Sequence, residues 1–303
     1  HRIQEVECVI PDMTGIARGK ILPRDLFLNS GHMRLPKSVL LNTVNGQQPD
    51  NAAHVGDTDP DMVCVPDLAT ARVVPWAAEQ VAVIIHDGLK RMVERQENVY
   101  YYLTLLNENY AMPGLTPGTE EQIIKGMYLC KQGAEGDKRV QLLGSGSILR
   151  ESIAAQTLLA ADWGVQADVW SCTSFNELTR EGQDVERWNL LHPLETARVP
   201  FATQQLSSRS GPVVASTDYM KAFAEQIRNY IPAGRAYKVL GTDGFGRSDF
   251  RSKLREHFEI NRHYIVVAAL KALSEEGTVP ATKVAEAIAK YGIQADKINP
   301  LYA

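Results

Sequence analysis

The chain has 303 residues, a formal net charge of −4, and 44% hydrophobic against 22% charged residues. This composition is typical of a soluble globular protein with enough chain for one large core or two modest ones. Because the chain has no basic excess to neutralise phosphates, we expect neither nucleic acid nor an anionic membrane as partner. No apolar run of about 18 residues and no signal peptide is found, so we expect a cytoplasmic location. The first residue is His1, which indicates a piece of a longer gene product.

The four cysteines lie far apart, without the C-x-x-C spacing of a metal or redox site. Each follows or precedes apolar residues, so we expect small buried hydrophobes in a reduced protein. A zinc site is not expected. They are Cys8, Cys64, Cys130 and Cys172.

The first third of the chain favours strands. In "VECVI", Val6, Cys8 and Ile10 stand at alternate positions, which predicts a strand with these three residues on one face. Glu5 and Glu7 would share the other face, where they could hold a cation, although two exposed carboxylates are commoner. A polar loop, "NGQQPDNAAHVGDTDPD", is long enough to suggest function or mobility. Further predicted strands are Ser38–Val44, Met62–Asp67 and Ala71–Trp76.

The remainder alternates between helix and strand patterns, which indicates an α/β protein with a mostly parallel sheet. We predict a helix over 86–95, a strand in "NVYYYLTLL", and a domain boundary in the Pro/Gly-rich stretch Met112–Thr119. Thr119 and Gln122 have the spacing of a capping box. Further strands are expected in "RVQLLGSGS", "ADVWSCTSF", "GPVVAST" and "YKVLG". One helix is expected to end at Gly164, with Ile148, Ser152, Leu158 and Leu159 near its inner face. Three more helices are expected: one from Asp218 to Ile231, one capped by Asn261 and stopped by Gly277, and one from Pro280 to Gly292.

Two glycine-rich stretches are candidates for a phosphate-binding loop and a metal site. "LLGSGSILRE" lacks the third glycine of a dinucleotide fingerprint and the Gly-Lys pair of a Walker loop, so a tight strand-to-helix turn is the favoured interpretation. "GTDGFGRSD" places Asp243 as in the Gly-Asp-Gly of a thiamine diphosphate metal motif. The Asn ligand that this motif needs downstream is replaced by "VAALKAL", which offers no oxygen ligand. Asp243 is therefore expected in a turn or helix cap.

Histidines near carboxylates give weak candidates for a general base. His192 and Glu195 lie close together in "WNLLHPLET", but packing or hydrogen bonding is the commoner role beside a proline. His86 and Asp87 are assigned structural roles in a helix. "NELTREGQDVERWN" is expected to be a solvated, perhaps interfacial, loop. We assign no catalytic, cofactor-binding or metal-ligating residue in this chain.

From about Glu79 to Ala303 the sequence resembles the C-terminal end of the homodimeric bacterial pyruvate dehydrogenase component. The phrases that carry the resemblance are "QENVYYYLTLLNENY", "VQLLGSGSILRE", "TSFNELTREGQDVERWNLLHPLET", "LGTDGFGRSD" and "ADKINPLYA". Phe250 departs from it, since a small hydroxyl residue is expected there. The resemblance implies a transketolase-type C-terminal domain used for dimer contacts, thiamine diphosphate and Mg²⁺ in the parent enzyme, and a lipoyl acetyltransferase as partner. It also implies that the cofactor site lies upstream of this chain.

From His1 to about Gln80 the sequence instead resembles the N-terminal β-grasp domain of glutamine synthetase-like γ-glutamylpolyamine synthetases. The phrases are "VECVIPDMTGIARGKILPRDLF", "VGDTDPDMVCVPD" and "ARVVPWA". The catalytic barrel of such ligases does not follow. The two resemblances together suggest a chimera with a seam between Trp76 and Val83.

The sequence therefore predicts a β-grasp-like domain over 1–80, the last helix and strand of a pyrimidine-binding domain over 81–112, and a transketolase C-terminal-like domain over 113–303. The expected function is that of a pyruvate dehydrogenase fragment, inactive by itself. Alternatives are a fragment of an ATP-dependent γ-glutamylpolyamine ligase and a non-enzymatic dimerising module.

Overall fold

A computed structural model of the chain describes residues 5–11, 17–36, 61–65, 80–104 and 114–303. The chain divides into two compact units, His1–Val73 and Val74–Ala303. The strands predicted at Ser38–Val44 and Ala71–Trp76, and most of the long polar loop, lie outside the described residues.

The first unit contains two antiparallel strand pairs. β1 (Glu5–Pro11) pairs with β2 (Ala17–Pro23), and β3 (Met33–Pro36) pairs with β4 (Asp61–Cys64). Helix α1 (Arg24–Ser30) follows β2 and ends at Gly31, whose left-handed backbone (φ 64°) suits a glycine. Cys8, Met33 and Leu35 form a small apolar cluster. The predicted strands around Cys8 and Cys64 are confirmed, whereas the side chains of Glu5 and Glu7 lie outside the described residues.

The second unit begins with α2 (Gln80–Leu89), which continues as one π-helical turn at Lys90–Glu94. The predicted helix over 86–95 is thus confirmed. The strand predicted in "NVYYYLTLL" is wrong for residues 98–104, which form no ladder with any described strand. Tyr101 packs on Gly88 and donates a hydrogen bond to Asp87 (2.6 Å), so local side-chain contacts hold this segment.

A five-stranded sheet with the order β5-β7-β6-β8-β9 is the centre of the second unit. β5 is antiparallel to β7, and the other neighbours are parallel. This agrees with the predicted mostly parallel α/β layer. The strands are β5 (Met127–Lys131), β6 (Arg139–Gly144), β7 (Gln166–Cys172), β8 (Val213–Ser216) and β9 (Tyr237–Leu240).

Helices cover both faces of this sheet, and each face has its own apolar core. Val140, Leu142 and Val169 point to one core, and Leu143 and Trp170 point to the other. The alternation follows from the period of two in a strand. The helices are α3 (Glu120–Lys125), α4 (Leu149–Trp163), α5 (Phe175–Leu191), α6 (Phe201–Ser207), α7 (Lys221–Glu225), α8 (Arg251–His257), α9 (Arg262–Glu275) and α10 (Ala281–Lys290).

Most predicted helix ends are confirmed. Gly164 ends α4 with φ 61°, and Asn261 caps α9 by accepting hydrogen bonds from the backbone N–H groups of His263 and Tyr264. The predicted capping box is wrong, because the Thr119 hydroxyl donates to the carbonyl oxygen of Thr116 (2.6 Å) and makes no cap.

Two predictions in this unit are corrected. The stretch expected as a solvated loop, residues 176–189, lies within helix α5, because Ser174 caps it and Phe175, Leu178 and Val185 bury one helical face. The helix expected from Asp218 to Ile231 is only α7 followed by a 3₁₀ turn at Arg228–Tyr230, since the residues just before α7 are held in a turn. The amide of Tyr219 donates to the Thr217 hydroxyl there.

Candidate functional site

Several buried polar side chains lie at the carboxyl ends of β6 and β8, namely Ser147, Ser152, Ser216 and Thr217. After β6 the chain crosses to β7 on one side, whereas β8 lies on the other side of β6. In open α/β sheets, ligands bind outside the carboxyl ends of the strands at such a reversal of strand order. The loops that follow β6 and β8 are therefore a candidate binding site.

Asp218 lies in the loop after β8 and faces the loop after β6. Its Oδ2 atom accepts a hydrogen bond from the Ser147 hydroxyl (3.2 Å), while its buried Oδ1 atom has no partner among the described residues. A Cβ atom at Gly146 would lie 2.9 Å from that Oδ1, so the loop after β6 passes close to it because it has glycine there. Burial raises the pKa of Asp218, and its own backbone N–H, the hydroxyl and backbone N–H of Ser147, and Arg255 lower it by less.

Two arginines and a buried glutamate continue this region. Glu151, on α4, accepts hydrogen bonds from the guanidinium of Arg262 (2.9 and 3.1 Å) and from its backbone N–H (3.0 Å). Burial raises the pKa of Glu151, but these donors and Arg255 outweigh it, so the pKa lies below the usual range. Arg255 also reaches the Ser147 hydroxyl at 3.4 Å. The contacts join α8 and α9 to the start of α4.

A second buried network lies at the other end of the sheet. Asp168 is fully buried and accepts from Gly133 N–H (2.9 Å), Arg139 (2.9 Å) and the Gln141 amide (3.1 Å). Arg209 also pairs with it at 3.2 Å. Burial raises its pKa, but these donors lower it more, and the pKa is below the usual value. The indole N–H of Trp170 donates to Gln141 Oε1 (2.8 Å). These hydrogen bonds join β6 and β7 and stabilise the sheet.

The sequence analysis assigned a site role to none of these acidic residues. Asp168 and Glu151 stand in a strand and a helix with no local motif, and their partners are 29 and 111 residues away along the chain. A charged residue inside an otherwise apolar strand, as in "ADVWSC", was the one available signal for Asp168, because buried charges need partners.

The residues singled out in the sequence do not come together. His192 stacks on Trp188 (4.5 Å between ring centroids) and its Nδ1 atom contacts the Trp188 carbonyl oxygen, and no side-chain contact to Glu195 is found in this described region. His86 and Asp87 lie in α2, as expected of structural residues. Asp243 accepts from the backbone N–H of Lys221 (3.2 Å), the first residue of α7, which confirms its interpretation as a turn or cap residue. The stretch Leu142–Glu151 is a strand, a 3₁₀ turn and the start of α4, as predicted for a tight turn.

Within the residues that the structure describes, no group of three or more His, Cys, Asp and Glu side chains is arranged to hold a metal ion. The same residues contain no helix that is both long enough and apolar enough to cross a membrane. All four cysteines are free; Cys8 and Cys172 are buried as predicted, and Cys64 and Cys130 are only half-buried. Burial raises the pKa of the Cys172 thiol, which disfavours its thiolate.

Residues 126–261 match the transketolase-like C-terminal domain family. This match covers the five-stranded sheet and supports the fold described above. Residues 26–113 match the middle domain of the pyruvate dehydrogenase E1 component. That second match begins inside the segment that resembles a glutamine synthetase-like domain, and no match supports the latter resemblance or a chimera. Both remain predictions.

Curated relatives agree with the larger resemblance. The pyruvate dehydrogenase E1 component of Escherichia coli K12 is 59% identical over 232 residues, which are 76% of this chain and 26% of that protein. The one from Cupriavidus necator is 57% identical over 229 residues, 75% of this chain and 25% of that protein. The chain thus spans about a quarter of the relatives that it matches. Among solved structures, a transketolase from Campylobacter jejuni is 20% identical, with a TM-score of 0.32 over 48% of this chain and 18% of that one.

Proposed function

We propose that residues 74–303 serve as the C-terminal part of a pyruvate dehydrogenase E1-type component. The observation that carries the proposal is the 57–59% identity to such components over three quarters of this chain. In the whole protein the activity would be the oxidative decarboxylation of pyruvate with acetyl transfer to a lipoyl carrier. Thiamine diphosphate would supply the carbanion stabilisation when bound.

The described residues do not fit a thiamine diphosphate and Mg²⁺ site. Asp243, which stands in Thr-Asp-Gly rather than Gly-Asp-Gly, accepts a hydrogen bond from the first amide of α7 and lies in no cluster of metal ligands among the described residues. We therefore propose that the chain by itself is inactive. Its role in the parent would be structural: a rigid α/β domain that takes part in homodimer contacts, in a cytoplasmic complex with a lipoyl acetyltransferase.

Complementation in trans tests this proposal. The chain would be mixed with a fragment of the E. coli E1 component that lacks the region matched here, and pyruvate turnover would be measured with an artificial electron acceptor. We expect turnover from the mixture and none from either piece. The matched control is a Leu143→Asp variant, which places a charge in the core and should not complement. Turnover by the chain alone, or equal complementation by the control, would contradict the proposal.

We further propose that residues 1–80 are a glutamine synthetase-like β-grasp module joined to this fragment. In its support, the compact units divide at Val73–Val74, close to the expected seam. The middle-domain match from residue 26 opposes it. Peptide sequencing with an intact mass across Val73–Leu103 would show whether one polypeptide crosses the seam, and co-purification with a γ-glutamylpolyamine synthetase ring would test the ligase alternative.

A further inference from the structure

A cavity of about 230 Å³ opens beside the carboxyl ends of β8 and β9. Its walls come from the segment after β8, the segment after β9, the end of α8 and the C-terminal 3₁₀ turn at Pro300–Tyr302. This is the edge of a parallel sheet at which α/β proteins bind ligands, one strand from the reversal of strand order. The lining residues are Lys221, Leu240, Gly241, Asp243, Phe258, Glu259, Asn299, Pro300 and Leu301.

The walls of the cavity are fixed by close contacts. A Cβ atom at Gly241 would lie 2.7 Å from the Lys221 nitrogen and the Tyr219 carbonyl oxygen, so the strand end and the α7 start touch there. The C-terminal turn is held by Lys297, whose ammonium donates to the carbonyl oxygens of Glu256 (3.0 Å) and His257 (2.9 Å). Glu259, in the wall, has a left-handed backbone (φ 61°), which costs a non-glycine residue energy.

Only some of the charged groups in the cavity wall have an ion-pair partner. Glu259 is paired with Lys297 at 3.2 Å. The Lys221 ammonium has no carboxylate partner among the described residues. Asp243 Oδ2 accepts from the Lys221 amide, and no hydrogen bond or ion pair of Asp243 Oδ1 is found among those residues. The Lys221 ammonium and the Asp243 carboxylate could therefore pair with a ligand. They line the cavity together with the apolar side chains of Leu240, Phe258 and Leu301.

We propose that this cavity binds a small zwitterion, an α-amino acid with an apolar side chain. Lys221 takes the carboxylate, Asp243 takes the ammonium group, and the apolar wall takes the side chain. The volume is below the roughly 300–1,000 Å³ of pockets for drug-sized ligands, which suits a ligand of amino-acid size. The inference concerns a site separate from pyruvate turnover and does not depend on the proposed function.

Binding of three probes to the full chain tests the proposal by nuclear magnetic resonance titration. L-leucine carries both charges, 4-methylpentanoate lacks the ammonium group, and 3-methylbutylamine lacks the carboxylate. We expect L-leucine to bind about tenfold or more tightly than either analogue, because each loses one charge-assisted contact. Failure of L-leucine to bind, or equal binding of all three probes, would overturn the proposal.

Two variants locate the binding. Lys221→Met and Asp243→Asn should each weaken L-leucine binding about tenfold or more. The asparagine can still accept from the Lys221 amide, and no hydrogen bond or ion pair of the Lys221 ammonium is found in the described part of the chain, so both variants should keep the wild-type unfolding temperature. Lys283→Met is the matched control, because Lys283 pairs with Glu286 on α10 and lines no part of the cavity. Undiminished binding to Lys221→Met would refute the site even if Asp243→Asn failed to fold.

Discussion

At the scale of single residues, the buried carboxylates of Asp168 and Glu151 and the half-buried carboxylate of Asp218 have different electrostatic environments. Asp168 and Glu151 are surrounded by arginines and N–H donors, which favour their charged forms. For Asp218, burial outweighs the nearby donors, which are its own backbone N–H and the hydroxyl and backbone N–H of Ser147, so the neutral form is favoured. Their contributions to stability therefore change with pH in opposite directions.

Asp168→Asn should lower the free energy of unfolding by about 3–5 kcal/mol. The substitution removes the buried negative charge with which Arg139 and Arg209 pair. Urea unfolding at pH 7 measures the change. Glu286→Gln removes the partner of an exposed ion pair and serves as control, with an expected loss of about 0–1 kcal/mol. Similar losses in the two variants would contradict this account.

Asp218 should make the wild type less stable, relative to Asp218→Asn, as pH rises. Its pKa is raised in the folded protein, so the folded state binds the proton more tightly than the unfolded state does. This stabilisation is complete below the unfolded pKa of about 3.9 and is lost as pH rises through the folded pKa. Unfolding of both proteins in urea from pH 4 to 7 measures the difference, and a constant difference would be contrary evidence.

At the scale of secondary structure, α8 begins without a side-chain cap. Its N-cap residue is Phe250, which is 82% exposed and cannot accept a hydrogen bond from the first turn. The resemblance described above implies a small hydroxyl residue at this position, and the missing helix cap is the physical reason. Serine at this position would cap the helix.

Phe250→Ser should raise the free energy of unfolding by about 1 kcal/mol, because it supplies the missing acceptor and removes little buried area. Phe250→Ala is the matched control, since it removes the ring without adding an acceptor. Thermal unfolding of the two variants measures the gain of serine over alanine. An equal midpoint for both would show that capping does not limit α8.

The sequence predicted the elements of the second unit well where local patterns decide them. Gly164 and Asn261 marked helix ends by their own chemistry, and the apolar strands had a clear period. It failed where distant contacts decide: residues 176–189 have a polar appearance, yet Phe175, Leu178 and Val185 anchor them as a helix against the sheet. For the same reason neither Asp168 nor Asp218 was found, because their partners belong to other elements.

At the scale of the whole molecule, the division at Val73–Val74 predicts that the second unit folds without the first. Its two apolar cores are made of residues from 127 onward. A chain of residues 74–303 should therefore keep the main thermal transition of the full chain within a few degrees. Scanning calorimetry of both chains measures it. A truncated chain that lacks a cooperative transition would show that the units depend on each other.

The indole of Trp170 gives this sheet an internal reporter. Its N–H group donates to the buried Gln141 Oε1, and the Gln141 amide in turn donates to Asp168, which two arginines contact. Deuterium can reach that proton only when the strands separate. The opening free energy obtained from the exchange of this one indole signal should therefore approach the free energy of global unfolding.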